Sequence, residues 1–518
     1  MDRTRSLTRS SIAIFIFVLM TYVAINLDAQ NSLTGRPTID LLLLAGLANI
    51  VAYCFVRTNR SWSKFKQIAI IAFVLLAQIT IYSAIRLDGL YGNGYPRLAW
   101  RWTTKPSGQM FDYENNSAIK VDSDASSSWP GFRGRNCSGI FAEAELRNWN
   151  QFPPKLIWSR SVGSGWSSFA IAGNVCITHE QRKNHEVLSC YELSSGRPVW
   201  VNRQEAHFDE ISSGEGPRAT PSIKGKFVYS FGATGILSCV KIESGKTQWS
   251  RNVLEENQLE NRIFGMTGSP LVVDDKVLVV AGGSRCSVIA YNRFTGLPVW
   301  SSGNEMASYA SLQSETICGT DAVLSFNGEG LSCYQLVDGT PMFHIPWISN
   351  PEERNNVCQP IVLTNSESST RIFISSGYGK GCAVYEISSS NEELSVSKLW
   401  SNNNLKSKFS SAVYHDKYVY GLDNGILTCV HTETGQRSWK RGRYGHGQII
   451  RIGKSIVIQS EGGDIAKVDC SPQEWIEEAK VEGLSSKTWN HPAFDGKHLI
   501  IRNDRQAICF ELGSKNQQ

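Results

Sequence analysis

Helical periodicity is missing from the whole sequence after residue 86, which excludes an α-rich body for the long C-terminal portion. No Gly-x-Ser-x-Gly elbow occurs, so the exposed-serine hydrolase arrangement is excluded. The nine histidines show no paired spacing. His179-Glu180 is followed by His185, six residues from His179, where a helical zinc-protease pair needs its second ligand four residues on. Gly453-Lys454-Ser455 looks like the end of a phosphate loop. The nearest upstream glycine, Gly447, leaves five intervening residues where four are required, and the segment leads into a strand. Residues 377–381 (GYGKG) read as a turn between strands.

Charge is also missing, locally. Residues 11–27, 39–56 and 67–85 contain no Asp, Glu, Lys or Arg apart from Asp40. A bilayer-crossing helix needs roughly 20 apolar residues, with about 17 as the lower limit. Residues 1–86 therefore read as a membrane domain of three transmembrane helices. Arg3, Arg5 and Arg9 precede the first. Arg57, Arg60, Lys64 and Lys66 lie between the second and third, and only Arg36 lies between the first and second. Positive residues favour the cytoplasm, which places the N-terminus inside and everything beyond the third helix outside. The formal net charge of +5 has the same origin. Residues 1–105 carry 12 basic against 4 acidic residues, and the remainder 40 against 43. No surplus is left to favour a nucleic-acid partner.

A Gly-, Pro- and Ser-containing linker is expected over 87–128 and a lead-in over 129–153. Then one pattern recurs. It reads LSCYELSSGRPVW over 188–200, LSCVKIESGKTQW over 237–249 and VIAYNRFTGLPVW over 288–300, with further copies over 331–343 and 427–439. Each is an alternating strand, a turn ending in glycine (Gly196, Gly245, Gly296, Gly339, Gly435), and a second strand with an aromatic residue four positions later (Trp200, Trp249, Trp300, Phe343, Trp439). The glycine suits a turn position where φ is positive. Weaker copies follow Cys382 with Trp400, Ile465 with Trp475, and Ala507. Eight copies at a period of about 46 residues match four-stranded propeller blades. The last copy lacks an aromatic strand, and residues 155–162, containing Trp158, have no partner. That strand closing the eighth blade would remove the open edges.

Cys190, Cys239, Cys333, Cys429 and Cys509 share one repeat position with Ala290, Val384 and Val468, which marks a small buried core site. Equivalent positions on different blades lie beyond disulfide reach. For Cys137, Cys176, Cys286, Cys318, Cys358, Cys382 and Cys470 a bridge is left open.

The repeat resembles the tryptophan-docking motif of the quinoprotein-like (PQQ-like repeat) β-propeller family, A-x-D-x-x-x-G-K-x-x-W. Cys190, Glu192, Gly196, Arg197 and Trp200 stand at its positions in the first copy, and the second keeps Gly245, Lys246 and Trp249 with Lys241 in place of the acid. The lead-in WPGFRGRNCSG over 129–139 is similar to that of bacterial membrane-anchored members. The resemblance implies an all-β, eight-bladed quinoprotein-like propeller over 154–512, which follows the three transmembrane α-helices read from the apolar stretches and leaves a short tail, 513–518. It implies a location at the bacterial inner membrane with the propeller in the periplasm. The family includes quinone-dependent dehydrogenases, which hold pyrroloquinoline quinone (PQQ) against adjacent cysteines and beside Ca²⁺, and non-enzymatic members such as BamB. No adjacent Cys pair is present here, and the acidic ligand set cannot be placed. The expected function is thus a non-catalytic scaffold that needs no cofactor and binds a protein, peptide or envelope ligand. The alternative is a membrane-bound PQQ-dependent oxidoreductase.

Blade strands are committed to packing, so specificity must come from loops. Arg218, Gln359, His446, Trp489 and Asn490 stand where a loop enters the innermost strand of a blade, and they form the candidate axial binding surface. This set lacks the paired carboxylates that acid–base hydrolysis uses.

Overall fold

The computed structural model describes residues 49, 56, 61–103, 105, 121–122, 128–284, 286–391 and 393–513. The chain divides into two compact units, residues 1–104 with 210–214, and residues 105–209 with 215–518.

In the first unit the helix Lys64–Ala84 opens on Ser63, whose hydroxyl accepts the Lys66 amide, an ordinary N-cap. Phe65, Ile68, Phe73, Leu76 and Ile79 are all exposed along it. Among the described residues this is the one helix long and apolar enough to cross a membrane, where three were expected. The other two expected spans, 11–27 and 39–56, lie outside the described residues but for Asn49 and Val56. The stretch expected to be an irregular linker from residue 87 begins differently. Ile85–Leu90 and Pro96–Trp100 form an antiparallel hairpin directly after the helix. Residues 104 and 106–120 of that linker, and the tail 514–518, lie outside the described residues.

The second unit carries eight four-stranded antiparallel blades, seven of which pair their strands in chain order. Blades 1 to 7 span residues 170–205, 222–252, 271–302, 313–346, 361–402, 413–443 and 448–481. Blade 8 takes three strands from 493–511 and its outer strand from Lys155–Ser161, which pairs with Gln506–Glu511 so that Trp158 stands opposite Cys509. The expected closure is therefore present.

The docking motif works between blades. A Cβ on Gly196, Gly245, Gly296, Gly339 or Gly435 would strike the ring of Trp158, Trp200, Trp249, Trp300 or Trp400, each on the preceding blade. These glycines also have φ near +70°, so no other residue fits both the turn and the ring. The indole N–H of Trp158, Trp200, Trp249 and Trp400 donates to the carbonyl three residues before the respective glycine, at 2.7–3.0 Å. Trp439 donates likewise to Ser471 on blade 7. Blade 7 itself departs from expectation. Glu477 stands opposite Val468 where the other blades place an aromatic residue, and Trp475, expected at that position, packs beside the sheet with Tyr418 and Cys470.

None of the twelve described cysteines is bridged. The five at the repeated position are fully buried, as their small apolar role requires.

The lead-in crosses the axis instead of merely preceding the first blade. Trp129 bridges to Ile171 of blade 1, the Ile223 amide of blade 2 donates to Pro130, and Gly139 accepts from Arg451 of blade 7. Ile140–Phe141 then adds a parallel strand to blade 7. Between these points Arg133 is wholly buried. Its guanidinium donates to the carbonyls of Ile449 (2.9 Å), Ala412 (2.8 Å), Ser138 (3.0 Å) and Cys137 (3.2 Å). Burial lowers its pKa to about 10. Carbonyl dipoles satisfy the cation's donors, as a buried charge demands.

Replacing Trp200 by Ala should cost on the order of 3–5 kcal/mol, and Gly245→Ala, which forces a Cβ into the same indole, should also lower the melting temperature. Denaturant melts of the two variants check this. Wild-type stability in both would remove inter-blade docking as a source of the fold's strength.

Candidate functional site

A polar residue stands at, or two or three positions before, the start of each inner strand, and these residues are wired to one another. The Ser168 amide donates to Thr220 Oγ1, Thr220 to Ser269 Oγ, Ser269 to Ser311 Oγ, Ser311 to Gln359 Oε1 and Gln359 to Ser411 Oγ, all at 2.9–3.0 Å. The Gln448 side chain then donates to the carbonyls of Phe409 and Trp489. Asn490 Nδ2 donates to Ser167 O at 2.7 Å, and Ser168 Oγ to His491 O at 2.6 Å. This belt runs from blade to blade around the axis and returns to its start. The belt's polar side chains are all buried.

Two of the five expected site residues belong to that belt. Gln359 bridges blades 4 and 5 through both ends of its amide, and Asn490 ties blade 8 to blade 1. The Gln359 amide and the Asn490 Nδ2 are spent on the frame, and Asn490 Oδ1 is buried without a hydrogen-bond partner. His446 and Trp489 are brought together. Phe409 lies 5.1 Å from His446 and 4.8 Å from Trp489 between ring centroids, and Trp166 lies 5.1 Å from Trp489. One buried carboxylate, Glu461, accepts the Trp489 indole N–H (2.9 Å) and the His446 amide (3.0 Å). Arg218 stands apart from them, over the Phe208 ring at 4.5 Å, and donates to the Gly216 carbonyl.

The antiparallel order of each blade puts the loops entering the inner strands, and the turns between second and third strands, on one face. On that face cations sit over aromatic rings: Arg262 over Tyr309 (5.8 Å), Lys380 over Trp347 (4.6 Å), Lys408 over Tyr378 (5.4 Å), and Lys487 over both Trp489 (3.9 Å) and Trp166 (4.8 Å). Such contacts contribute about 0.5–2 kcal/mol each, more where water is excluded. Burial lowers the pKa of Lys408 against the pull of Glu461 and Glu353. It lowers His446 as well, helped by Lys408 and opposed by Glu461.

Trp166, Phe409, Lys408, Lys487 and Glu461 were not singled out from the sequence. Counting back two residues from the belt would have found several, since Trp166, Tyr309, Phe409 and His446 each precede a belt residue by two positions.

A second buried group lies beneath Arg218. Glu186 accepts the Ala233 amide at 2.9 Å and stands 4.0 Å from His179 Nε2. Burial raises the Glu186 pKa to about 7, opposed by the Ala233 amide and Arg218. Burial lowers His179 to about 4.

The fold family raises the question of a quinone with Ca²⁺. Among the described residues the three metal-ligating side chains that converge are His207, Asp209 and Glu215. They lie in the connection between blades 1 and 2, and Lys105 pairs with Asp209 and Glu215 at 3.0 Å. The mouth itself offers Glu461, whose two oxygens accept from Trp489 and His446. Among the described residues no other group of three His, Cys, Asp or Glu side chains converges.

Comparison with known proteins agrees with this architecture. A family model described as outer membrane protein assembly factor BamB matches residues 183–441, half of the chain. The chain belongs to this PQQ-like β-propeller family. The outer membrane protein assembly factor BamB of Moranella endobia (strain PCIT) is 22% identical over 372 residues, which cover 68% of this chain and 89% of that protein. Among solved structures, BamB from Moraxella catarrhalis superposes with a TM-score of 0.50 at 13% identity, covering 69% of this chain and 99% of its own. The quinohemoprotein alcohol dehydrogenase of Pseudomonas putida HK5 does so at 0.55 and 12%, covering 80% and 84%. At these identities the solved structures share the propeller fold with this chain.

Because folding raises the Glu186 pKa, the native state holds that proton more tightly than the unfolded chain. The resulting stability is full below the ordinary carboxylate range and is lost as pH rises through about 7. Glu186→Gln keeps the carbonyl acceptor and removes the titration. Its stability relative to wild type should therefore improve by on the order of 2–3 kcal/mol between pH 4.5 and pH 8, measured by denaturant melts across that range.

Proposed function

We propose that this protein is a membrane-anchored, non-catalytic binding scaffold whose axial mouth receives a protein or peptide partner outside the cytoplasm. The aromatic and cationic cluster around Trp489 carries this reading. Trp166, Phe409, His446 and Trp489 meet at one point of the mouth, with Lys408 and Lys487 against them. Aromatic rings and cations held on a rigid frame are the usual anchors of protein interfaces. The helix Lys64–Ala84 supplies the anchor, and the basic residues Arg57, Arg60, Lys64 and Lys66 at its start favour the cytoplasmic side of an inner membrane. That orientation puts the propeller in the periplasm. The relatives named for outer membrane protein assembly point to an envelope protein as the partner class. Of the five residues expected at the surface, Arg218 and Trp489 retain a binding role, the buried His446 packs with Phe409 beneath the mouth, and Gln359 and Asn490 hold the ring that presents them.

Replacing Arg218 and Trp489 together by Ala should weaken partner capture by more than about 30-fold while circular dichroism stays that of a folded propeller. Affinity capture from solubilised membranes, followed by cross-link mapping, checks this. Cross-links confined to the outer blade strands, with capture intact in the double variant, would defeat the axial site.

The full chain in detergent should also show no rise in melting temperature with added pyrroloquinoline quinone and Ca²⁺, because a ligand bound only by the native state must raise apparent stability. A clear rise would restore the oxidoreductase reading.

A further inference from the structure

We infer that the hairpin Ile85–Trp100 is a lipid-docking element that lies in the headgroup boundary of the bilayer, an inference that rests on the membrane anchoring proposed above. The hairpin is two-faced. Strand residues alternate sides, and the register sets Ile85 opposite Trp100 and Leu87 opposite Leu98, which gathers these four on one side. The other side carries Arg86, Asp88 and Arg97, joined by ion pairs of Asp88 with Arg97 (2.8 Å) and Arg86 (3.5 Å).

The apolar side faces outward. Leu98 is 46% exposed, Trp100 49%, and Trp102, just past the strand, 68%. The two indoles stack at 4.9 Å with an interplanar angle of 9°, forming one flat aromatic plate. Tyr95 at the turn is 68% exposed. A two-stranded hairpin is marginal in water by itself, and such a plate left in water would add an apolar patch to that cost. Tryptophan and tyrosine concentrate where acyl chains meet headgroups, because their rings are apolar and their N–H and O–H groups are polar.

Position commits the occupant to lipid. No residue separates helix from hairpin, since Ile85 follows Ala84 and its amide still donates to Ile81. The Arg101 amide donates back to Ala84 at 2.8 Å, and the Arg101 side chain donates to Ile85 O at 3.1 Å. The hairpin is therefore fixed to the end of the helix, which is itself exposed and apolar along its length.

The full chain reconstituted into phosphatidylethanolamine–phosphatidylglycerol vesicles provides the test, with part of the lipid brominated near the glycerol end of its acyl chains. Bromine quenches tryptophan only at close range. A Trp62→Phe background removes the indole at the other end of the helix, and Trp100→Phe with Trp102→Phe removes the plate's fluorescence while keeping its apolar area. Quenching should fall by roughly threefold or more on adding the two Phe substitutions, as expected for rings seated in the interface. Equal quenching in both proteins, with both still resisting carbonate extraction, would overturn the hairpin's role while leaving the anchor intact. A second copy or another protein covering the plate would give that same result. Release of the chain by carbonate would overturn the anchoring and this inference together.

Discussion

A propeller has no first or last blade once it is closed, and the pairing of Lys155–Ser161 with Gln506–Glu511 is what closes this one. Without it, Gln506–Glu511 of blade 8 would present an unpaired edge, and edges pair with other chains. With it, Trp158 reaches Gly196 as Trp200 reaches Gly245, so the outer docking rows run on across the seam. The polar belt crosses the same seam through Asn490 and Ser168. One set of contacts holds the blades at their outer edge and another at the axis, and both depend on that single strand exchange.

The binding face inherits its rigidity from this frame. Trp489 and Asn490 are neighbours in sequence, yet one ring stands at the mouth and one amide is buried in the belt. Each belt residue fixes the backbone that presents the residue beside it, which spares the partner the entropy of ordering a loop. Glu461 extends the arrangement upward by holding the Trp489 indole and the His446 backbone together.

The blades were legible in the sequence because the docking contact uses the same two residue types at the same spacing each time. Blade 7 was misread for the complementary reason. It lacks the glycine, so the eye settles on Trp475, whereas pairing places Glu477 opposite Val468. The belt was harder to see, since Ser168 and Thr220 look like ordinary loop residues, and their partners lie about 50 positions away. Nothing local marks Arg133 as a buried cation, because its acceptors on blades 6 and 7 meet only in the closed ring. The hairpin after the helix carried a visible signal, alternating Ile85 and Leu87 against Leu98 and Trp100 about a Gly92-Asn93-Gly94 turn, yet its glycines and proline made it resemble a linker.

Arg133 also sets an order of events. Its hydrogen bond to Ile449 spans 316 positions, and that of Ser168 to His491 spans 323. At a synthesis rate of about 5–20 residues per second, the lead-in emerges roughly 15–65 s before the last of these partners exists. During that interval seven blades' worth of apolar strands can form sheets one after another, but neither Arg133 nor Lys155–Ser161 has its distant partners. Folding of the ring is thus completed after translation, with non-local closure as its late step. A chain truncated within blade 8 would leave Lys155–Ser161 without the strand it pairs with and Gly196 of blade 1 without a docked Trp158.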